Sequence, residues 1–508
     1  MKTLFLFSFL ISLSTFAAPA PLVQSEGTTF IGLNGPNDTE AYFGIPYAQA
    51  PVGNLRWKAP KKIRLGQRVV AQRMGPVCAQ LWNMFSNVSP DYEGQAVGSE
   101  DCLYLNVWKP RQNANYKRPV FFWIHGGSNT KGTANDPNYD GAWFAQHNDA
   151  IFVSVNYRLG LFASFIHPSL ETGNKLDSAG NHVTLDLIMA LNWVKNNIEN
   201  FGGDPDNVVI AGQSAGCMNV WGLLQSPLAK NLFNGAICSA GLPNAYPKLV
   251  IEERSDNLLH DLLIADKIAK DADEAKEWVR KQGPQTVRKY LLSKSAAELL
   301  AIPRFIVPTQ HVSDGTVLPF DGLASVMTGR YNRVPMILGS TIDEATYLVG
   351  ATMFKPTEGD LFRMLNSGRS YPRSAIIKDE YLSTFDGITR SSSIGLSNSL
   401  ESISQSLRPF NWNIYKYEFT WKETPEPWKS VFGAFHGLDA IFYLGNFVED
   451  RPQFARFAWR PSNKESREAL REHMSQYFKS FLHHGNPNEG HNGKEWRSFS
   501  GSGHTFKF

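Results

Sequence analysis

The stretch Asn207-Val-Val-Ile-Ala-Gly-Gln-Ser-Ala-Gly216 decides the fold, because within it an apolar, β-branched run breaks into Gly-x-Ser-x-Gly. The run predicts a buried strand, and the helical pattern after it predicts a helix that begins at the turn. Gly212 and Gly216 lack the side chains that would keep helix and strand apart. Such a turn can hold Ser214 in a strained conformation at a helix N-terminus, where free N–H groups favour negative charge. The pattern predicts a nucleophilic serine, although an ordinary glycine-rich turn between a strand and a helix would contain the same residues.

Strands and helices alternate on both sides of this turn. Apolar runs of the strand type and segments of helical spacing follow one another along the chain, at residues 119–124, 150–155, 185–198, 235–240, 334–339, 413–420 and 465–483. This alternation predicts an α/β fold with a mostly parallel central sheet and helices on both faces. Two stretches with helical patterns, residues 247–301 and 359–407, are predicted to be helical insertions over the active-site edge of the sheet. No linker sets the first of them apart, so residues 19–508 are predicted to form one domain.

The composition is that of a globular protein, with 508 residues of which 42% are hydrophobic and 19% charged. The formal net charge of +3 gives no field strong enough to favour nucleic acid or an anionic membrane as the main partner. Residues 1–18 have the layout of a secretory signal, because Lys2 is followed by an apolar stretch and then by small residues. Cleavage is expected between residues 17 and 20. No later apolar run suits a membrane anchor, so a secreted, soluble protein is predicted, and the sequence leaves its oligomeric state open.

Predicted secretion makes disulfide bonds plausible for the four cysteines, because disulfides persist outside the cell. Cys78 and Cys102 flank a polar, turn-rich segment, as expected of a surface loop closed by a disulfide. Cys217 and Cys238 lie in apolar surroundings, where buried free thiols are the commoner outcome, although a second bridge stays open. Acceptor patterns for glycosylation fall in two polar, turn-like stretches, which begin at Asn37 and Asn87.

The order of three residues along the chain indicates how Ser214 could be activated. Cleavage of an ester by a serine needs a base for the hydroxyl proton and a carboxylate that orients the base. In open α/β sheets such groups lie beyond the C-terminal ends of the strands. Glu344 follows one predicted strand, with Asp343 as the alternative acid, and His436 follows a later strand in a glycine-containing loop. The order Ser, Glu, His is that of the α/β-hydrolases. The remaining histidines after the acid are predicted to lie on the surface of the last helix or in a polar tail: His473, His483, His484, His491 and His504.

A glycine-rich loop upstream of Ser214 could supply the hydrogen-bond donors that ester cleavage also needs. His125-Gly-Gly-Ser128 directly follows a buried strand. Backbone N–H groups of such a loop, together with that of Ala215, can converge on the negative oxygen that develops during attack. An ordinary turn would explain the glycines but not their position after a strand and ahead of Ser214. No zinc or dinucleotide motif is present in the sequence, so neither a metal nor a cofactor is predicted.

Eight stretches form a combined pattern over nearly the whole mature chain: Tyr42-Phe-Gly-Ile-Pro-Tyr-Ala48, Ser99-Glu-Asp-Cys-Leu-Tyr-Leu-Asn-Val107, Trp123-Ile-His-Gly-Gly127, Val155-Asn-Tyr-Arg-Leu159, Asn200-Phe-Gly-Gly-Asp-Pro205, Gly212-Gln-Ser-Ala-Gly216, Asp343-Glu344 and His436-Gly437. With this pattern the chain resembles the type-B carboxylesterase/lipase family of α/β-hydrolases, which includes the cholinesterases. The resemblance implies Ser214 as nucleophile, His436 as base and Glu344 as acid. It also implies a disulfide between Cys78 and Cys102, and an oxyanion hole formed by the N–H groups of Gly127, Ser128 and Ala215.

Three positions depart from the family pattern. Ser128 stands where the family usually has a third glycine, so a side chain is expected to intrude near the acyl group and narrow the pocket. Gln213 replaces the usual glutamate before the nucleophile, which removes a negative charge that would favour cationic substrates. The tryptophan that stacks on a quaternary ammonium in cholinesterases falls near Tyr92 here. Choline esters are therefore not the expected substrates.

Together these features predict a secreted serine esterase that hydrolyses a small-molecule carboxylic ester through an acyl-enzyme. Transfer of the acyl group to an alcohol, or formation of a lactone, would use the same residues and stays an alternative. A non-catalytic binding protein is a third hypothesis, disfavoured because all three triad positions are filled. Large apolar residues that suit an apolar gorge, but suit the core or an exposed loop equally well, are Trp82, Met84, Phe85, Met353 and Phe354.

Overall fold

The strand that leads into Ser214 lies in the middle of a large sheet. The structure is a computed structural model and describes residues 19–302, 311–499 and 504–508, so the predicted signal at residues 1–18 lies outside the described residues. The strands of the described part are β1 (Leu22–Ser25), β2 (Thr28–Ile31), β3 (Leu33–Gly35), β4 (Thr39–Pro46), β5 (Arg68–Val70), β6 (Gln80–Leu81), β7 (Ala96–Val97), β8 (Tyr104–Pro110), β9 (Arg118–Ile124), β10 (Ile151–Val155), β11 (Gly203–Gln213), β12 (Gly235–Ser239), β13 (Ala245–Pro247), β14 (His311–Ser313), β15 (Met336–Thr341), β16 (Ile414–Phe419) and β17 (Thr505–Lys507).

Ten of these strands form the central sheet, in the order β17-β16-β15-β12-β11-β9-β10-β8-β4-β3. The strands from β17 to β10 in this order are parallel to their neighbours, whereas β8, β4 and β3 continue the sheet in antiparallel pairs. In β11, Gly212 pairs with Ile124 on one side and with Cys238 on the other. The C-terminal ends of three neighbouring parallel strands therefore surround the turn at Ser214, and the predicted mostly parallel sheet is confirmed.

The helices of the described part are α1 (Ala142–Asn148), α2 (Leu161–Ser164), α3 (His182–Asn197), α4 (Ala215–Gln225), α5 (Lys248–Ala265), α6 (Ala272–Ser293), α7 (Ala296–Leu300), α8 (Leu323–Met327), α9 (Ala345–Leu348), α10 (Glu358–Asn366), α11 (Phe385–Leu407), α12 (Trp428–Val431), α13 (Leu438–Leu444) and α14 (Lys464–His484). The stretch predicted as the first helical insertion contains α5, α6 and α7, and the second contains α10 and α11. Helix α6 is interrupted at Gly283, where φ is 72°. No helix among the described residues is both long and apolar enough to span a membrane.

Successive side chains of each strand point to opposite faces of the sheet, so the core consists of two layers. In β9, Phe121 and Trp123 point into one layer, which contains apolar residues of α1, α13 and α14, while Phe122 and Ile124 point into the other, which contains those of α3 and α4. Every residue of β9 is buried. Helices α5 to α7 pack around a separate apolar cluster. Helices therefore cover both faces of the sheet, as an apolar strand without polar alternation requires.

Both pairs of cysteines form disulfides. Cys78 and Cys102, with Cα atoms 5.0 Å apart, are bridged as the sequence predicts. Cys217 and Cys238 are also bridged, with Cα atoms 4.7 Å apart. Of the two states that the sequence left open for this pair, the structure has the bridge rather than the commoner free thiols, because α4 packs on β12, the strand next to β11, and brings the two side chains together. This bridge ties the helix after Ser214 to the neighbouring strand.

Candidate active site

The turn at Ser214 has the strained geometry that its glycines permit. Ser214 has φ 57° and ψ −124°, outside the conformations that serine readily adopts, and its N–H donates to the Ser239 carbonyl at 2.8 Å. A Cβ atom on Gly212 would lie 2.4 Å from the Gly216 carbonyl oxygen. A Cβ atom on Gly216 would lie 2.0 Å from the carbonyl oxygen of Ile124. Both glycines are therefore required for strand and helix to approach this closely.

Glu344 and His436 form a buried hydrogen-bonded pair beside this turn. Glu344 lies just beyond β15, and His436 lies in the loop between α12 and α13. Glu344 Oε2 is 2.5 Å from His436 Nδ1, while Glu344 Oε1 accepts the Thr341 N–H at 2.6 Å. The exposed fractions of the His436 and Glu344 side chains are 8% and 4%. The carboxylate thus fixes one nitrogen of the imidazole and leaves Nε2 for other partners.

Asp343, the alternative acid in the sequence, has different partners. Its carboxylate accepts the Ala434 N–H at 2.9 Å and pairs with Lys422 Nζ at 2.7 Å. Asp343 therefore holds the loop that carries His436 without contacting the imidazole in any hydrogen bond of the described residues. Two cavities adjoin Ser214, and neither is lined by any of the five other histidines that follow Glu344 in the sequence: His473, His483, His484, His491 and His504.

Gln213 makes a contact that sequence reasoning missed. Its side-chain nitrogen lies 3.0 Å from His436 Nε2, across 223 residues of sequence. With the amide as donor, Nε2 accepts, which is the tautomer that a general base needs when Nδ1–H faces Glu344. Within the described residues, Ser214 Oγ makes no hydrogen bond of its own. In the sequence, Gln213 stands out only because it replaces the glutamate that the family usually has at this position. No local sequence pattern indicates that its side chain contacts His436.

The upstream glycine loop lies against the turn. Gly127 has φ 105°, and a Cβ atom there would lie 2.1 Å from the Lys131 carbonyl oxygen. Neither the Gly127 nor the Ala215 N–H donates a backbone hydrogen bond in the described residues, so both are available to a ligand oxygen. Ser128 has φ 56° and lines the cavities on both sides of Ser214.

His125, which begins this loop, is buried and packs against the core. Its ring stacks on Tyr157 with 4.4 Å between ring centroids, and the Tyr157 hydroxyl donates to the His125 carbonyl at 2.6 Å. Burial lowers the pKa of His125 to about 4, so the ring is neutral at physiological pH. The loop is thus fixed by an uncharged, buried contact.

A second buried carboxyl lies behind the Glu344–His436 pair. The Tyr417 hydroxyl donates to Asp439 Oδ2 at 2.5 Å and lies 2.8 Å from Ser239 Oγ. Burial, and next the charge of Glu344, raise the pKa of Asp439 to about 6. The sequence places Asp439 only in the first turn of a helix, where an acidic residue is common, so it gave no signal of this network.

Two cavities meet at Ser214 and His436. Both are lined mainly by apolar groups. The first, which we call the polar pocket after the Asp136 carboxyl and the Asn138 amide, is also lined by Gln213, Phe85, Tyr347 and Phe454. The second, which we call the apolar pocket after Met218, Leu242, Leu396 and Leu400, is also lined by Asn244, Ser340 and Glu344. Ser214 therefore has space for a substrate group on each side.

The residues that the sequence suggested for an apolar gorge, for cation binding and for glycosylation lie in different parts of the structure. Of the five residues considered for a gorge, Phe85 lines the polar pocket, whereas the others are buried in the core: Trp82, Met84, Met353 and Phe354. Tyr92 is 48% exposed and lines neither cavity. Asn37 and Asn87 are both exposed, and the Asn87 side-chain amide donates to the Asn135 carbonyl. Within the described residues, no group of three or more His, Cys, Asp and Glu side chains could hold a metal ion.

Comparison with known proteins places this site in a family. The sequence pattern of the Carboxylesterase family matches residues 21–507. The chain is 31% identical to the para-nitrobenzyl esterase of Bacillus subtilis over 81% of this chain and 80% of that protein. It is 35% identical to the fumonisin B1 esterase of Sphingopyxis macrogoltabida over 60% of this chain, a match that spans 53% of that relative's length.

Solved structures give the same result for the fold. A PNB esterase superposes with a TM-score of 0.72 and 27% identity, over 94% of this chain and 93% of that one. A carboxylesterase of Geobacillus stearothermophilus superposes with a TM-score of 0.71 and 28% identity, over 96% of each chain. With a strained serine turn at the centre of a mostly parallel sheet, the chain therefore belongs to the carboxylesterase family and is a carboxylic ester hydrolase of the α/β-hydrolase fold.

Proposed function

We propose that the protein is a secreted serine esterase in which Ser214 is the nucleophile, His436 the general base and Glu344 the acid that orients it. The observation that carries this proposal is the buried hydrogen bond of 2.5 Å between Glu344 and His436, beside the strained turn at Ser214. A carboxylate that holds Nδ1 leaves Nε2 free to exchange protons with the serine and the leaving group.

In the first half of the proposed reaction, Ser214 Oγ attacks the ester carbonyl while its proton passes to His436 Nε2. Because the Gln213 amide occupies that nitrogen in the free protein, it must yield the position to the serine hydroxyl. The carbonyl oxygen becomes an oxyanion that accepts hydrogen bonds from the N–H groups of Gly127, Ser128 and Ala215. The carbon–oxygen bond to the alcohol then breaks, and the proton on Nε2 passes to the departing alkoxide.

In the second half, water takes the place of the alcohol. His436 removes a proton from the water as it attacks the acyl-enzyme, and the same N–H groups stabilise the second oxyanion. Release of the carboxylic acid returns the proton to Ser214. Both halves use the same groups, and neither requires a metal or a redox step.

Secretion and glycosylation belong to the same proposal. Two disulfides suit an oxidising compartment, and both acceptor asparagines, Asn37 and Asn87, are exposed. Expression in a secreting eukaryotic host should yield a mature chain that begins between residues 18 and 21 and loses mass on deglycosylation. A retained N-terminus would refute the signal.

The proposed triad is tested most directly at Ser214. Replacement Ser214→Ala should lower kcat toward a p-nitrobenzyl ester about 10⁶-fold, since related triads lose that much with their nucleophile. The wild type should bind one fluorophosphonate per chain covalently and the variant none. Ser399→Ala, on the exposed face of α11, is the matched control and should behave as the wild type. Unchanged turnover by Ser214→Ala would refute the assignment.

Product analysis separates hydrolysis from acyl transfer. Both reactions share the acyl-enzyme and differ only in the second nucleophile. With a competing alcohol at millimolar concentration, a hydrolase should release mainly the free acid. A dominant ester product would assign the protein to acyl transfer with the same residues.

A further inference from the structure

The polar pocket contains a buried carboxyl group that the reaction does not use. We propose that Asp136 and Asn138 recognise a second hydrogen-bond donor, a hydroxyl or a protonated amine, on the alcohol part of the ester. The inference rests on the proposed function, because it names the substrate class of the same site. The preferred substrates are accordingly esters of diols or amino alcohols, and simple alkyl esters are poorer.

Two acceptor atoms in this pocket lack donors. Asp136 is 6% exposed, and its Oδ1 accepts both the backbone N–H and the side-chain amide of Asn138 at 2.8 Å. Its Oδ2 accepts no hydrogen bond from the described residues. Asn138 is 4% exposed, and its Oδ1 likewise has no partner among them. Asn138 Oδ1 is a buried acceptor without a donor, which is costly, so a ligand that supplies a donor there gains what the protein leaves unsatisfied, while Asp136 Oδ2 has no donor of the described residues to compete with.

Asp136 makes no ion pair with the charged residues around it. Lys131, which lines the same pocket, lies 3.3 Å from Glu358 and over the ring of Phe85 at 5.4 Å, and it makes no ion pair with Asp136 in the described residues. Burial raises the pKa of Asp136 to about 6, against the opposing effects of the hydrogen bonds from Asn138 and of the positive charge of Arg451. Within the described residues, the carboxyl therefore has hydrogen bonds from Asn138 but no ion pair.

The polar pocket is proposed to bind the alcohol part of the ester rather than the acyl part. The proton that releases the alcohol comes from His436 Nε2, and this nitrogen faces Gln213. Gln213 lines the polar pocket but not the apolar pocket. Ser214 and His436 line both pockets, so the Gln213 contact is what distinguishes them. On this ground we place the alcohol in the polar pocket and the acyl chain in the apolar pocket.

The loop that carries the two acceptors is fixed before any ligand binds. The Asn446 side-chain amide donates to the Asn138 carbonyl at 2.9 Å and to the Asp140 carbonyl at 2.6 Å. Asp136 also begins a helical turn through its bond to the Asn138 N–H. Preorganised acceptors lose little freedom on binding, which favours discrimination between donors and alkyl groups.

The test compares butanoate esters of three matched alcohol series, with n-alkyl, ω-hydroxyalkyl and ω-aminoalkyl chains of two to six carbons. The wild type should hydrolyse at least one hydroxy or amino ester with kcat/KM about tenfold or more above its alkyl match. Asp136→Asn should lower the ratio of amino to alkyl ester by about 10- to 100-fold, because a charge-assisted hydrogen bond is lost while the bonds to Asn138 can remain.

The matched control is Asp140→Asn, which neutralises a carboxyl four residues away that does not line the pocket. It should leave the ratio as in the wild type. An unchanged ratio in Asp136→Asn, or a wild type that favours the alkyl esters, would overturn the inference. If Asp136→Asn fails to fold, as judged by its unfolding midpoint, the wild-type series alone decides. Absence of fluorophosphonate labelling and of all ester turnover by the wild type would instead refute the proposed function.

Discussion

The two halves of the site are held in place by different means. The upstream half, residues 124–128 and 212–216, is positioned by the main chain, and its glycines lie where any Cβ atom would meet a backbone carbonyl within 3 Å. The downstream half, Glu344 and His436, is positioned by side chains that hydrogen-bond to each other across 92 residues of sequence. One half therefore depends on shape, and the other depends on charge and protonation.

This difference predicts different consequences of mutation. A change that displaces the upstream backbone removes donors of the proposed oxyanion hole and should therefore lower the rate at every pH. A change in the downstream half alters which protonation state of the imidazole is favoured, so its effect should depend on pH. Glu344→Gln changes the downstream half, Gly127→Ala changes the upstream half, and Gln213→Glu changes the residue at which the two halves meet.

Of the substitutions that leave the nucleophile in place, the largest effect is expected for Glu344→Gln. Glu344→Gln keeps the shape of the side chain but offers its neutral amide to His436, so the imidazole loses the charge that stabilises its protonated form. We expect kcat to fall about 10⁴-fold, as for the corresponding change in serine protease triads. Steady-state kinetics on a p-nitrobenzyl ester would measure this.

The neighbouring carboxylate provides a matched control for this change. Asp343→Asn removes the charge next to Lys422 but can keep the bond from the Ala434 N–H. We expect a loss of less than about tenfold, since Asp343 does not contact the imidazole. A larger loss in Asp343→Asn than in Glu344→Gln would exchange the proposed roles of the two acids.

An intermediate effect is expected at Gly127. Gly127→Ala would bring a Cβ atom to 2.1 Å from the Lys131 carbonyl oxygen at a φ of 105°, so the loop must move. Loss of one oxyanion donor typically costs about 10²–10³ in kcat, and this loss should be constant across the pH range. Gly66→Ala is the control, because nothing lies within 4 Å of its Cβ position. A strongly pH-dependent loss in Gly127→Ala would contradict the division between the halves.

The contrast also explains what could be predicted from the sequence. The strained turn is local, so the glycine spacing around Ser214 indicated it, although an ordinary glycine-rich turn shares that spacing. The buried runs on either side predicted the parallel sheet. The choice of Glu344 over Asp343 depended on the family pattern, because two adjacent carboxylates after a strand are locally equivalent. In the structure the two carboxylates have different partners, Lys422 for Asp343 and His436 for Glu344, and this difference supports the proposed assignment.

Contacts between distant side chains could not be predicted in this way. The bridge between Cys217 and Cys238 depends on how α4 crosses the strand next to its own. The buried position of Asp136 depends on a cavity built from loops that are far apart in the sequence. Apolar surroundings in the sequence indicate burial, but they do not indicate which buried groups meet.

The smallest effect, and the sharpest test of the comparison, is expected at Gln213, where the two halves meet. Gln213 lies in the strand that leads to Ser214, yet its amide is 3.0 Å from His436 Nε2, the nitrogen that accepts the serine proton in the proposed mechanism. Gln213→Glu places a carboxylate there, and an opposite charge at this distance favours the protonated imidazole. The base must be neutral to act, so the acid limb of kcat/KM should move upward by about one pH unit, which lowers activity about tenfold below the limb and little above it. Gln213→Met removes the amide without adding charge and should not move the limb upward. If Gln213→Glu instead lowered kcat/KM equally at all pH values, Gln213 would act through the backbone, as the rest of the upstream half does.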